Sequence, residues 1–468
     1  MNQPALNDAP PHVRLPLDAR FQPLGKLRLD YELRAARDPR AVAVGFAIER
    51  TEGEISRWEG RILGPGNGHE AESAAYLRHT LKFLLWARGG ATVHVAAPET
   101  IQRLLAQAFE PGGSMHFDAG LMARAFDRPL AVKAVDLAGL PAASEGGQAL
   151  GGHRDGCRIG FDLGASDYKI AAVRDGEPVF SAEFPWHPVV EPDPAYHYQR
   201  LNDGLRQAAA HLPRVDAIGG SSAGIIVDNK IMVASLFRAV APDRFERDVK
   251  TLFHRLQAEW GVPLAVANDG DVTALAGAMA WNRPGILGIA MGSSEAAGYI
   301  DPNGRILGWL NELAFAPVDA RPDAPRDEWS GAAGVGAQYF SQQAVSRLLP
   351  AAGIELAPEM PLPERLLHVQ KLAAEGDHRA ERIFETIGGY LGHTLPLYHQ
   401  FYPFSDVLIL GRVTSGRGGE ILMASASCVL QELYGEVGAP FRVRVPDEKS
   451  RRVGQAVAAA SLPPLATT

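Results

Sequence analysis

Five short stretches of the sequence carry residues whose types and spacing can do chemistry. Phe161-Asp162-Leu163-Gly164-Ala165-Ser166 closes an apolar run with an acid and a Gly-Ala-Ser turn. Side chains that small let a phosphate reach backbone N–H groups, and Asp162 can hold a hydrated Mg²⁺; an ordinary hairpin turn uses the same residues. Ala267-Asn268-Asp269-Gly270-Asp271 follows a second apolar run. It reads as a helix start with Asp269 or Asp271 as N-cap, or as a carboxylate placed at a strand end to take the proton of an attacking hydroxyl. Met291-Gly292-Ser293-Ser294 is a phosphate contact or a turn, and Glu312 in Gly308-Trp309-Leu310-Asn311-Glu312 is a hydroxyl acceptor or a solvated loop acid. The six small residues Gly219-Gly220-Ser221-Ser222-Ala223-Gly224 leave room for a ligand against the backbone. All five fall at strand ends of one alternating pattern, and that shared placement outweighs any single stretch.

The elements that must position them follow from periodicity. Residues 41–50 and 54–63 read as strands around a Thr-Glu-Gly turn, 70–88 as a helix stopped by Gly89-Gly90, 92–97 as a strand, 98–109 as a helix and 130–137 as a strand. Residues 138–156 turn Gly-, Ala- and Ser-rich and read as a linker. Strands at 158–163, 168–174 and 178–184 then form a hairpin array, with helices expected at 194–212, 243–260 and 271–281 and strands at 215–219 and 264–267. The same order restarts at Gly285, with strands at 286–291, 296–301 and 305–309, helices near 333–349, 363–375 and 378–400, a buried strand at 407–410, and helices at 418–434 and 450–461. Two lobes of one pattern are the expectation.

Composition bounds the class. The 468 residues are 46 % hydrophobic and 21 % charged, the balance of a packed globular chain. With 46 basic and 54 acidic side chains the net charge is −8, which excludes the electrostatic footprint of a nucleic-acid binder. No apolar run approaches the ~18 residues of a membrane span. The first twenty residues hold four prolines and no apolar block, so no secretory signal is expected and the cytoplasm is the expected compartment. Two cysteines, Cys157 and Cys428, can supply neither a disulfide framework nor a four-thiolate metal site.

Residues 158–461 resemble the sugar kinase, actin and heat-shock ATPase superfamily, and most nearly its ROK branch of bacterial sugar kinases and sugar-responsive repressors. Asp162-Leu163-Gly164-Ala165-Ser166 resembles the first phosphate motif, and Gly219 to Gly224 the small-residue segment before the sugar loop. Asn268-Asp269 looks like the Asn-Asp pair in which Asn contacts sugar and Asp is the base. Gly292-Ser293-Ser294 falls where the second phosphate motif begins, Glu312 where a sugar-contacting Glu sits, and Leu408-Ile409-Leu410-Gly411 at the adenosine motif. The resemblance implies an α/β fold of duplicated actin-like ATPase (ribonuclease H-like) lobes around a cleft, preceded by an additional α/β N-terminal domain. The boundaries expected are a flexible start at 1–20, the N-terminal domain at 21–137, the linker at 138–156, and lobes at 157–284 and 285–468, the C-terminal helix packing back on the first.

It implies ATP-dependent phosphorylation of a sugar hydroxyl, with Asp269 as general base, Asn268, Glu312 and Gly224 at the sugar, and Asp162 holding Mg²⁺ through water. Gly164, Ala165, Ser166, Gly292, Ser293, Ser294 and Gly411 would cradle the nucleotide. The partner implied is a small-molecule sugar, with no nucleic acid or membrane, and a homodimer is left open. Several positions depart from the ROK pattern. Trp329-Ser330-Gly331-Ala332-Ala333-Gly334-Val335-Gly336 has no Cys, and Phe315 takes the place of a His, so no zinc is expected. Glu295 stands in the second phosphate loop, Arg412 replaces a Gly of the adenosine motif, and Ala234-Ser235 stands where a sugar-binding Asn is usual. A non-catalytic ROK-like protein that only binds a sugar or related metabolite is therefore the alternative. A repressor of this family would carry a winged helix-turn-helix in front, whereas the N-terminal third here reads as a neutral α/β unit.

Overall fold

The computed structural model describes residues 15–51, 53–66, 68–145, 151–446 and 448–465, with side chains from 454 onward in the last stretch. Most of the expected flexible start (1–14) and the centre of the expected linker (146–150) lie outside the described residues. The part of the start that is described is docked: Leu15 is buried, and Asp18 pairs with Arg321 at 3.0 Å and accepts from the Tyr390 hydroxyl at 2.6 Å.

The first sheet has the order β2-β1-β3-β4, built from β1 (Val42–Glu49), β2 (Ile55–Ile62), β3 (Thr92–Ala96) and β4 (Ala131–Val135). Around it lie α1 (Leu24–Arg37), α2 (Glu70–Arg88), α3 (Glu99–Phe109) and α4 (His116–Ala125). Gly89 and Gly90 end α2 with φ of +74° and +149°, a conformation only glycine takes without strain. The core under this sheet is continuous with that of the C-terminal half. Phe83 of α2 stacks on Phe401 with centroids 4.3 Å apart, and Gly25 of α1 lets Leu397 approach closely.

The second sheet runs β11-β8-β5-β6-β7. Its strands are β5 (Cys157–Leu163), β6 (Asp167–Arg174), β7 (Glu177–Pro185), β8 (Ala217–Ser222) and β11 (Leu264–Asn268), with a ribbon of β9 (Ile225–Val227) and β10 (Lys230–Val233) between the last two. β5, β8 and β11 are parallel, so their carboxyl ends share one rim. α5 (Pro194–Ala209), α6 (Pro242–Arg244) and α7 (Leu252–Trp260) flank the sheet. The single helix expected at 243–260 is broken by a wide turn in which Lys250 N–H reaches Phe245 O. The carbonyl of Lys250 is taken by Ile231 N–H of β10, which pulls the chain out of α-register.

After α8 (Asp269–Trp281) comes the third sheet, β13-β12-β14-β15, from β12 (Ile286–Met291), β13 (Glu295–Ile300), β14 (Asp406–Leu410) and β15 (Arg442–Arg444). An antiparallel hairpin followed by two parallel neighbours repeats the second sheet's order, one strand short. The strand expected at 305–309 does not form. That segment leaves the sheet, and the N–H groups of Leu310, Asn311 and Glu312 pair instead with the carbonyls of Arg88, Ala87 and Trp86 at the end of α2. α9 (Gln342–Ala352), α10 (Leu362–Ala374), α11 (His378–Phe401) and α12 (Gly416–Tyr434) pack together beside this sheet.

α13 (Glu448–Ala460) crosses back onto β5, β6, β8 and α8. Gly160 and Gly219 exist for this crossing, since a Cβ on either would run into the α13 backbone at Ala456 and Ala459, and Gly220 makes room for the Phe161 ring. Two of the six small residues at 219–224, Gly219 and Gly220, therefore serve packing, a bland reason for part of the glycine-rich run. Among the described residues no helix is long and apolar enough to cross a membrane.

Candidate active site

Three parallel strand ends set the site. Asp162 near the end of β5, Ser221 and Ser222 at the end of β8, and Asn268 at the end of β11 lie side by side in register. Asp162 is buried and accepts a 2.6 Å hydrogen bond from the Ser221 hydroxyl; burial pushes its carboxyl up, while this bond and Lys169 hold it down. The N-cap of α8 is Asn268, not Asp269 or Asp271: its Oδ1 accepts from Gly270 N–H at 2.8 Å. Its Nδ2 donates to the carbonyl of Gly224, also at 2.8 Å. Gly224 has φ +113°, so the loop that meets Asn268 needs a glycine.

Asp269 is thereby fixed at a helix start above the rim, half-buried. One oxygen accepts from Gly270 N–H at 3.0 Å, and the other has no protein partner among the described residues. Burial, then the Asp162 charge, push Asp269 up to about 6. Asp271 sits deeper, accepting at one oxygen from Tyr299 N–H (3.0 Å) and Asn311 Nδ2 (2.8 Å), and burial lifts it to about 7. The Glu312 carboxyl, without a hydrogen-bond partner among the described residues, is raised to about 7 by burial and then by Asp269 and Asp271. Asp162, Asp269, Asp271 and Glu312 thus form one electrostatically coupled group in which each acid makes its neighbour harder to ionise.

α8 is pressed against β13 to keep this geometry: Gly270 and Gly298 are in backbone contact, and a Cβ on either would force the two apart. A cleft of about 190 Å³ opens beside Asn268 and Asp271, lined also by Gly224, Trp309 and, from the turn between β1 and β2, Arg50 and Glu54; Asp162, Asp269 and Glu312 are not among its lining residues. A second, more apolar pocket of about 290 Å³ begins at Thr273, one turn along α8 from Asp269. It ends at Gly411 and Arg412, with Trp281 and Leu410 on its sides.

The turns expected to hold phosphates lie at the ends of their hairpins. Gly164 N–H closes the first turn on Asp167 O (3.0 Å), Ala165 and Ser166 are exposed, and the Ser166 hydroxyl bonds to the Asp167 carboxylate at 2.9 Å. In the second, Gly292 N–H meets Ser294 O (3.0 Å), Ser293 is exposed, and Gly292 O accepts from Gln342 N–H at the start of α9. Gly411, at φ +106°, lies against the backbone of Met291, so the second turn and the adenosine-motif glycine adjoin.

Glu295 is turned inward, away from that turn. It is buried, accepts from the Tyr398 hydroxyl at 3.2 Å, and is pushed by burial up to about 8, so it is uncharged at neutral pH. Arg412 is exposed and does not meet it. Phe315 packs among Trp86, Phe117 and Trp329, and among the described residues no three His, Cys, Asp or Glu side chains are grouped to hold a metal ion.

Sequence reasoning read Asp271 only as a possible cap and Asn311 only as the polar neighbour of Glu312, and it gave no role to Tyr402 or Arg88, whose partners lie in distant segments.

Neither a family model nor any curated protein matches the sequence. Solved structures do. The ROK hexokinase of Thermus thermophilus superimposes with a TM-score of 0.50 at 18 % identity, covering 65 % of this chain and 97 % of that one. A ROK family transcriptional regulator, homologous to the E. coli MLC protein, gives 0.52 at 18 % identity over 77 % of this chain and 87 % of its own. A ROK family glucokinase of Streptomyces griseus, solved with glucose and AMPPNP, gives 0.47 at 19 % identity over 65 % and 98 %. The chain therefore shares the actin-like ATPase fold of ROK sugar kinases and regulators.

Proposed function

We propose that this protein transfers the γ-phosphoryl group of ATP to a hydroxyl of a sugar or sugar derivative. The observation that carries the reading is Asp269: a half-buried carboxylate with one free oxygen, fixed at the carboxyl end of a parallel strand and raised to about 6. A base so tuned is mostly ionised at pH 7 yet basic enough to accept a proton. The acceptor oxygen attacks phosphorus, the bond to the β-phosphate oxygen breaks, ADP leaves, and the hydroxyl proton passes to Asp269. Asn268, which lines the cleft, and Glu312, coupled to Asp269 and Asp271 next to it, would orient other hydroxyls of the sugar, and the apolar pocket ending at Gly411 suits a purine. Catalysis would come mainly from alignment.

Asp162 suits a hydrated Mg²⁺, because its charge already repels Asp269 and a divalent cation beside it would offset that repulsion. When bound, the ion would neutralise phosphate charge.

A second reading, binding without transfer, is favoured by one detail. The Ser166 hydroxyl is spent on Asp167, which adds a carboxylate to the turn that would take phosphates. Thermal unfolding with ATP–Mg²⁺ and a panel of hexoses and amino sugars, alongside ADP release, separates the two. Transfer requires stabilisation by both ligands and ADP formed in step with sugar phosphate. Stabilisation by sugar alone, with none from millimolar ATP, selects the binder.

A further inference from the structure

The last carbonyls of a helix have no partner within it and are usually met by water or a cap. In α2 three of them are met by a segment more than two hundred residues away. Trp86, Ala87 and Arg88 accept from Glu312, Asn311 and Leu310 at 3.0, 3.1 and 3.2 Å. The Arg88 side chain completes the contact. Its guanidinium lies 3.2 Å from the centroid of the Trp309 ring and 4.9 Å from that of Tyr402, and it donates to the carbonyl of Phe401. Trp309 also stacks on Tyr299, centroids 5.2 Å apart and planes 6° from parallel, and its indole N–H donates to Glu145 at 2.8 Å. Beyond Trp309 the Tyr402 hydroxyl donates to Asn311 Oδ1 (3.1 Å), and Asn311 Nδ2 holds Asp271. The next residue is Glu312.

We propose that Arg88 is a positioning residue of the substrate site: by clamping Trp309, and with the α2 terminus residues 310–312, it sets where Glu312 presents its carboxylate to the acceptor. This rests on the reading of Glu312 as an acceptor-side group. Stability alone is a poor reason for such an arginine. Arg88 is 8 % exposed, and its Nη1 has no hydrogen-bond partner. Replacing even a whole buried ion pair with apolar side chains of similar volume is often neutral or stabilising. What an apolar residue cannot do is hold the indole face by cation–π attraction while bonding to α11. Burial draws Arg88 down to about 10, so it stays charged at neutral pH. The clamp lies on α2, outside residues 158–461 on which the ROK resemblance rests, and gives the N-terminal segment a part in the site.

The test compares full-length wild type, Arg88→Met and Arg88→Lys. Hydrogen exchange at the amides of 310–312 and calorimetric sugar binding are read beside the KM values for acceptor and nucleotide. Arg88→Met is expected to speed exchange at 310–312 and to weaken acceptor binding roughly tenfold, with nucleotide KM within about twofold, since small displacements of an aligned group cost about this much or more. Arg88→Lys, which keeps the cation but loses the fork, should fall between the two. Trp309→Phe, which keeps a ring for Arg88, should resemble Arg88→Lys and serves if Arg88→Met fails to fold. Unchanged exchange at 310–312, or acceptor and nucleotide KM rising together, overturns the proposal. If wild type binds sugar but transfers no phosphate, the kinase reading fails while exchange and calorimetry still decide on Arg88.

Discussion

The side-chain amide of Asn268 spans two elements: its Nδ2 donates to the Gly224 carbonyl at 2.8 Å while its Oδ1 caps α8 at Gly270. One residue thus fixes both the start of the helix that carries Asp269 and the loop that borders the cleft. Asn268→Asp keeps the cap and removes the donor, setting a carboxylate against a carbonyl. Denaturant unfolding should show a loss of about 1–2 kcal/mol, the cost of an unmade buried hydrogen bond. Calorimetry should show sugar affinity falling further than nucleotide affinity. Equal losses for both ligands would remove Asn268 from the sugar side.

The acidic group makes a pH prediction. Asp269 must be ionised to act, and it is raised to about 6, with Asp271 and Glu312 at about 7. The acid limb of kcat/KM should therefore rise with pH in that region, well above the ordinary carboxylate range. Its apparent value belongs to the coupled group rather than to one residue. Asp162→Asn removes the like charge that, after burial, raises Asp269, and should move the limb to lower pH. A limb that stays put, or moves to higher pH, contradicts the coupling.

How much of this was legible in the sequence depended on where each residue's partners lie. Asp162, Asn268 and Asp269 were visible because a strand end and a helix start are local patterns. α1 was not: its buried face of Leu24, Tyr31 and Ala35 is interrupted by Arg28, which is buried in cation–π contact with Tyr76 and Phe401, while Leu27 and Leu33 are exposed, which blurs the periodicity. The expected strand at 305–309 was lost because the N–H groups just beyond it bond to α2, a partner that periodicity cannot show. Asp271 was read with Asp269 as a helix cap, since Tyr299 and Asn311, which hold it, come from distant segments. Glu295 looked like a charge beside the phosphates, and only its burial against Tyr398 removes that conflict.

Glu295 also predicts a stability profile. Its carboxyl is raised from 4.5 to about 8 by burial, so the folded state holds a proton that the unfolded state gives up above about pH 4.5. Its contribution is fully present below that point and is lost as pH rises towards 8. Glu295→Gln, which cannot ionise, should leave the melting temperature at pH 5 nearly unchanged and raise it relative to wild type at pH 8.5. Parallel melting curves for the two proteins across that range would mean that Glu295 is not buried as described.

The most direct test of the central claim is single-turnover transfer of labelled γ-phosphate from ATP to a bound sugar, wild type against Asp269→Asn. General bases contribute about 10²–10⁴-fold. The account predicts that Asp269→Asn loses transfer on that scale while sugar affinity, by calorimetry, changes less than about threefold, because the side chain's one protein hydrogen bond is to its neighbour's N–H. Transfer by Asp269→Asn within about tenfold of wild type would contradict the account, as would a wild-type protein that binds both ligands and transfers nothing.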